Sequence, residues 1–365
     1  MGDWVRDRRR VETRGEDGRE RRTRAHSANA LKQRLQRFVV PVVLAGTIAA
    51  LVLAVNPRDF VTAFARLDLR FVPLIVGLAV AFFVMQGLRW HLLLREVGAW
   101  LRVRDSVLLN TAGQAITAIL PLGDLTRAVF ASQASRTDFG KVAATVTVQE
   151  LAYTLVLVLS ATPVLLELKL GLGAVFIVVA VIAGILAILT VPPVFWFVHR
   201  LVARAPFLRA FLRQIDELHD QTVVLLHRPD TLIWTVLDTA RAALAITVLW
   251  LIVIALHPGA FGWWQAAFVL ALSYVGGAIS LIPGGAGANE ASMVGLLVLL
   301  HVDPATAAAA SLLQRLFMTG LATLLGWGAY TVARRRFELG SLLAVKPPPS
   351  PSPTDRPELE VQRAA

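Results

Sequence analysis

Ionisable side chains are scarce inside the apolar stretches of this chain, so the few that occur there are the candidates for chemistry. Two stretches combine them with helix breakers. One is Leu120-Pro121-Leu122-Gly123-Asp124-Leu125-Thr126-Arg127; the other is Ile282-Pro283-Gly284-Gly285-Ala286-Gly287-Ala288-Asn289-Glu290. In each, a proline that cannot continue a helix is followed by glycine and then a carboxylate, beside a short apolar arm. Paired interrupted segments of this kind mark substrate sites in transporters, where freed backbone dipoles face a polar cargo. The plainer reading is a pair of turns at a membrane surface, which also need Pro and Gly. Two further ionisable residues, Glu150 and Arg315, stand within apolar sequence. The planar guanidinium of Arg127 or Arg315 suits a phosphate. A structural salt bridge of Arg315 with Glu290 or Glu150 is the competing reading, and the two agree if a substrate competes for the pair.

Other chemistry finds no support. Gly284-Gly285-Ala286-Gly287 lacks the Lys and Ser/Thr of a nucleotide-binding loop. There is no His-Glu-x-x-His, the seven histidines have no ligand spacing, and no cysteine is present. No paired aspartates suggest a magnesium–diphosphate site. The expectation is a protein that is not an enzyme and uses no metal or cofactor.

The elements that position these residues are apolar helices. The chain is 56% hydrophobic and 17% charged, with a mean hydropathy of +0.63, a composition of polytopic membrane proteins. Residues 1–37 form an arginine-rich tail without apolar periodicity, and a proline-rich tail occupies 334–365, leaving 38–333 as the membrane domain. Phe38–Val55 and Phe71–Leu88 read as spans, followed by a basic segment holding Arg89, Arg95, Arg102 and Arg104. Val107–Leu120 is short and carries Asn110, Gly113, Gln114 and Thr117, so it reads as re-entrant or half-spanning. Val142–Leu166 and Leu172–Phe197 span, the latter kinked or stopped by Pro192-Pro193. His199–Asp230 reads as an interfacial amphipathic helix, its apolar stripe running from Leu208 to Leu218. Leu232–Leu256 spans, with Asp238 and Arg241 read as a self-neutralising pair near the headgroups. Trp263–Ile282, the arm Ala288–Leu300 and a last helix opened by Pro304 and running to about Val332 complete the bundle.

The fold class is therefore an all-α polytopic membrane helix bundle with about eight crossings plus re-entrant or broken segments. Arginines at the tail, after the second span, between Arg127 and Lys141 and at the C-terminus place both termini in the cytoplasm of a cell-membrane protein. The net charge of +11 sits at the ends and loops without interleaved aromatics, which fits anionic lipid rather than nucleic acid.

Leu88-Arg89-Trp90-His91-Leu92-Leu93-Leu94, Leu120–Arg127, Pro283–Glu290 and Leu312-Leu313-Gln314-Arg315 resemble the transmembrane region of lysylphosphatidylglycerol synthases. The same region occurs alone in a flippase-like family. The resemblance implies an integral membrane protein that binds and translocates a lipid. Its substrate path would be lined by Arg89, Pro121, Gly123, Asp124, Arg127, Glu150, Pro283, Gly284, Gly285, Gly287, Glu290 and Arg315. The soluble synthase domain has no counterpart here, so synthesis of the lipid is not expected. Asp124 stands where the family often has Glu, and Leu151 and Thr154 where it commonly has Arg and Asp. The leading expectation is movement of an anionic or phosphate-bearing lipid between leaflets. The alternative is a membrane scaffold or accessory subunit partnering a cell-envelope glycosyltransferase or lipid-modifying enzyme.

Overall fold

A computed structural model describes residues 65–117, 125–167, 191–203, 229–257, 261–280 and 287–337, together with isolated residues between them. The expected first span Phe38–Val55, the stripe from Leu208 to Leu218, most of Leu172–Phe197, the N-terminal tail and residues 338–365 of the C-terminal tail lie outside the described residues. Among the described residues the structure is helical, with no strand.

A 3-10 turn at Leu69–Phe71, capped by the Asp68 carboxylate, leads into α1 (Val72–Glu96). Then come α2 (Val103–Thr117), α3 (Leu125–Ser135), α4 (Phe139–Ser160), α5 (Thr162–Glu167), α6 (Pro192–Ala203) and α7 (Pro229–Ile233). The chain continues with α8 (Thr235–Leu256), α9 (Trp263–Ile279), α10 (Ala288–Leu299) and α11 (Pro304–Arg315). A π turn at Leu316–Gly320 joins α11 to α12 (Leu321–Phe337). Among the described residues, four segments are long and apolar enough to cross a membrane: Leu69–Glu96, Phe139–Glu167, Thr235–Leu256 and Pro304–Phe337.

Several boundaries differ from the sequence reading for physical reasons. α1 runs eight residues past Leu88, so Arg89 belongs to the span and not to a basic loop. A helix opens at Pro192 rather than bending there, because proline suits a first helical turn whose N–H groups are unpaired anyway. The last helix continues through Arg334-Arg335-Arg336 to Phe337, where cations complement the negative end of its dipole.

Contacts fix how the long helices run. Trp90 Nε1 donates to Thr145 Oγ1 at 2.8 Å and Gln149 Nε2 to the Gln86 carbonyl at 2.7 Å, so α4 is antiparallel to α1. α8 is antiparallel to α1 as well. Its first turn meets Arg89 near the end of α1, and its Ala255 carbonyl accepts from the Asp68 N–H, just ahead of α1, at 2.9 Å. Apolar side chains of α8, α9 and α11, among them Ile246, Leu249, Phe268, Ala307 and Ala310, form the larger core. Trp90, Leu109, Ala112, Phe130, Val142 and Tyr330 form a second one around α2.

The short polar α2 is held by backbone proximity. A Cβ on Gly113 would lie 2.7 Å from that of Arg127 in α3, and one on Gly326 in α12 would overlap the Ala115 backbone. Small residues at such crossings let helices pack closely where lipid supplies no hydrophobic drive. Gly326→Val is expected to force α12 off α2 and lower the unfolding midpoint in detergent, by the 1–3 kcal/mol or more typical of overpacking. Gly328→Ala, where a Cβ meets nothing within 4 Å, should leave it unchanged. Equal midpoints for the two variants would contradict this packing.

Candidate functional site

A charged cluster is built by five helices, α1, α2, α3, α4 and α8. α3 starts directly after the first Pro/Gly break and presents Arg127 as its third residue. Arg127 is fully buried: Nη2 donates to Glu150 Oε1 at 2.7 Å, and Nη1 donates to Asn110 Oδ1 at 2.6 Å and Gln149 Oε1 at 3.1 Å. Arg241 of α8 reaches the same carboxylate, with Nη2 at 3.2 Å from Glu150 Oε2. Its guanidinium lies 4.1 Å from the Tyr153 ring centroid and 4.8 Å from that of Phe82, geometry for cation–π attraction. Gln86 completes the network, donating to Glu150 Oε1 at 3.3 Å while its own oxygen accepts from Asn110 and Gln114. Next to it, Arg89 and Asp238 form an ion pair at 2.9 Å with no exposure on either side chain.

The charge balance of this cluster favours an anion. Among the described residues, three guanidiniums, Arg89, Arg127 and Arg241, face two carboxylates, Asp238 and Glu150. Arg127 also sits in the first turn of α3, where the positive end of the helix dipole adds to its charge instead of offsetting it. Arg127 Nε and Arg241 Nε and Nη1 are buried without an acceptor. Glu150 is the most open member, with 21% of its side chain exposed, so the carboxylate that holds both arginines faces the accessible side.

A second charged pair belongs to the other break. Gly285 and Gly287 both adopt positive φ, 62° and 86°, conformations that favour glycine. Gly287 precedes α10, and its N–H donates to Glu290 Oε2 at 2.6 Å, the acidic half of a capping box. The other Glu290 oxygen accepts from Arg315 Nη1, and Ser311 Oγ donates to the Glu290 carbonyl at 3.4 Å. The π turn at Leu316–Gly320 begins immediately after Arg315. Such turns widen a helix and are frequent at functional sites.

Of the residues expected to line a path, Arg127 and Glu150 meet in one cluster with Arg89 beside them. Gly287, Glu290 and Arg315 meet in a second, and Gly285 backs it against Gly277. Pro121, Gly123, Asp124, Pro283 and Gly284 lie outside the described residues. Two expectations are corrected. Arg127 is not in a surface loop; it is a buried residue of a short helix packed on α2 and α4. Asp238 and Arg241 do not mainly neutralise each other: their side chains diverge, Asp238 to Arg89 on α1 and Arg241 to Glu150 on α4. Sequence reasoning missed Gln86, a lone amide in an otherwise apolar span, and the part played by Arg241. The signal for both was a polar residue inside hydrophobic sequence.

The family model described as the lysylphosphatidylglycerol synthase TM region matches residues 38–326. Comparison with curated proteins gave no match.

Proposed function

Since the chain belongs to the lysylphosphatidylglycerol synthase transmembrane-region family and is an integral membrane protein, we propose that it translocates an anionic, phosphate-bearing lipid between leaflets. The observation that carries this reading is the Arg127–Glu150–Arg241 cluster. Two arginines share one partly exposed carboxylate and keep three N–H donors of their guanidinium groups without acceptors. A phosphate offers more acceptor oxygens than the carboxylate and matches guanidinium geometry, so it can take the arginines from Glu150 without leaving them uncompensated. Trp90, whose ring centroid lies 5.5 Å from the Arg127 guanidinium, and Tyr153 wall the cluster with aromatic faces. Arg89, held by fully buried Asp238, fixes α8 against α1 and so sets where Arg241 points.

On this reading the protein performs no covalent chemistry. It lowers the cost of carrying a headgroup through hydrocarbon by replacing water with fixed donors. The test is purified protein in liposomes with fluorescent anionic lipid, followed by outer-leaflet quenching. Protein-dependent exchange is expected, and Arg127→Gln or Arg241→Gln should slow it by about tenfold to a hundredfold, the scale of one hydrogen bond to a charged group. Exchange at the protein-free rate, or undiminished exchange in both variants, would sink the proposal.

A further inference from the structure

The two charged clusters stand in matching surroundings. α3 and α10 each follow a Pro/Gly break and carry the charged residue, Arg127 or Glu290, at their third position. Each then ends in a turn containing a non-glycine residue at positive φ, Arg136 at 55° and His301 at 65°. Two residues later an aspartate caps the next helix. Asp138 accepts from the Gly140 N–H at 2.7 Å, and Asp303 from the Thr306 N–H at 3.0 Å. From these caps the register is shared without a gap: Ala143 and Ala144 match Ala308 and Ala309, Gln149 matches Gln314, Leu151 matches Leu316 and Thr154 matches Thr319. Within that register Glu150 falls on Arg315. The pairs are thus equivalent with their signs exchanged, Arg127 with Glu150 and Glu290 with Arg315.

The two units also run in opposite directions. α2 begins at the end of the bundle where α1 ends, and Asp105 in its first turn pairs with Arg336 at 2.9 Å, at the end of α12. α9 begins at the other end, where α8 finishes next to the Asp68 N–H that precedes α1. α9 and α10 fold back on each other, with Gly276 against Ser292 and Gly277 against Asn289. α3 returns along α2 in the same way, Gly113 against Arg127. These contacts bring the two hairpins in from opposite ends of the bundle.

We propose that residues 103–160 and 263–325 form an inverted-topology duplication whose two charge pairs are gates facing opposite sides of one path. Each pair closes its half while it is formed, and a ligand or charge change that releases one leaves the other shut. Repeats of this design give alternating exposure by rocking one unit against the other. The gating part rests on the translocation reading; the orientation part does not.

The absence of cysteine from the chain allows single-cysteine reporters without background. Arg136→Cys and His301→Cys replace exposed, equivalent turn residues. A membrane-impermeant maleimide is expected to label them from opposite faces of sealed vesicles of known orientation. Labelling from the same face overturns the duplication, whether or not lipid moves. Thr126→Cys and Asn289→Cys then report the gates. Glu150→Gln should raise labelling of the first severalfold from one face, and Glu290→Gln that of the second from the other. No rise, or a rise from the same face, overturns the gating. If a glutamine variant fails to fold, Arg127→Lys and Arg315→Lys keep the charge, lose the fork and read the same outcomes.

Discussion

Asp238→Leu is expected to destabilise the protein by about 3–5 kcal/mol, the usual cost of removing one partner from a buried ion pair. The argument rests on burial. Arg89 and Asp238 are both at zero exposure, joined at 2.9 Å, at the point where α1 and α8 cross. The loss comes mostly from leaving Arg89 charged in a site without solvent rather than from the missing bond. The double variant Arg89→Met/Asp238→Leu removes both charges and keeps apolar volume, so it should recover most of the loss. Unfolding midpoints of the purified protein in detergent measure all three. A double variant as unstable as the single one would show that the pair contributes specific geometry rather than charge balance.

This pair also shows what the sequence could and could not reveal. Asp238 and Arg241 are three residues apart, the spacing of neighbours on a helix face, and in an isolated helix they would pair. In the bundle that face is divided between two other helices, and each side chain finds a stronger partner there. Spacing along one chain carries no information on which helix arrives opposite. Span positions were legible because hydrocarbon demands apolar length: α1, α4, α8 and α11–α12 start within three residues of expectation, while α1 and α12 run on past their expected ends. The described part of Val107–Leu120 lies in α2, a helix whose Asn110, Gly113 and Gln114 set it apart from the apolar spans. Its consequence stayed hidden: Arg127 looked like the first arginine of a positive loop, although α3 folds back and buries it. The pairing of Glu290 with Arg315 is legible in the sequence, because two ionisable residues in neighbouring apolar helices have few other acceptable fates. Gln86 was overlooked because an amide is cheap enough in an apolar helix to pass as background.

The charge balance around Glu150 makes the sharpest functional prediction. Glu150→Gln removes the carboxylate shared by Arg127 and Arg241 and, among the described residues, leaves Asp238 as the one carboxylate facing three arginines. A purely structural salt bridge would lose stability and bind nothing new. A phosphate site would instead gain affinity, because the anion no longer competes with an internal carboxylate and enters a more positive cluster. Release should slow by the same differential, since a ligand bound more tightly at a mid-path site faces a higher barrier to leave it. The expected result is therefore opposite in sign for two measurements. Anionic phospholipid retained through purification rises, and the rate of leaflet exchange falls, by about tenfold or more if one charge-assisted hydrogen bond of 1.5–3 kcal/mol is at stake. Arg241→Gln should lower both, which separates loss of binding from loss of release. Lipid mass spectrometry and the quenching assay on the same preparations provide the two readouts. Glu150→Gln and Arg241→Gln changing retained lipid in the same direction would remove the cluster from the path and return it to a structural role.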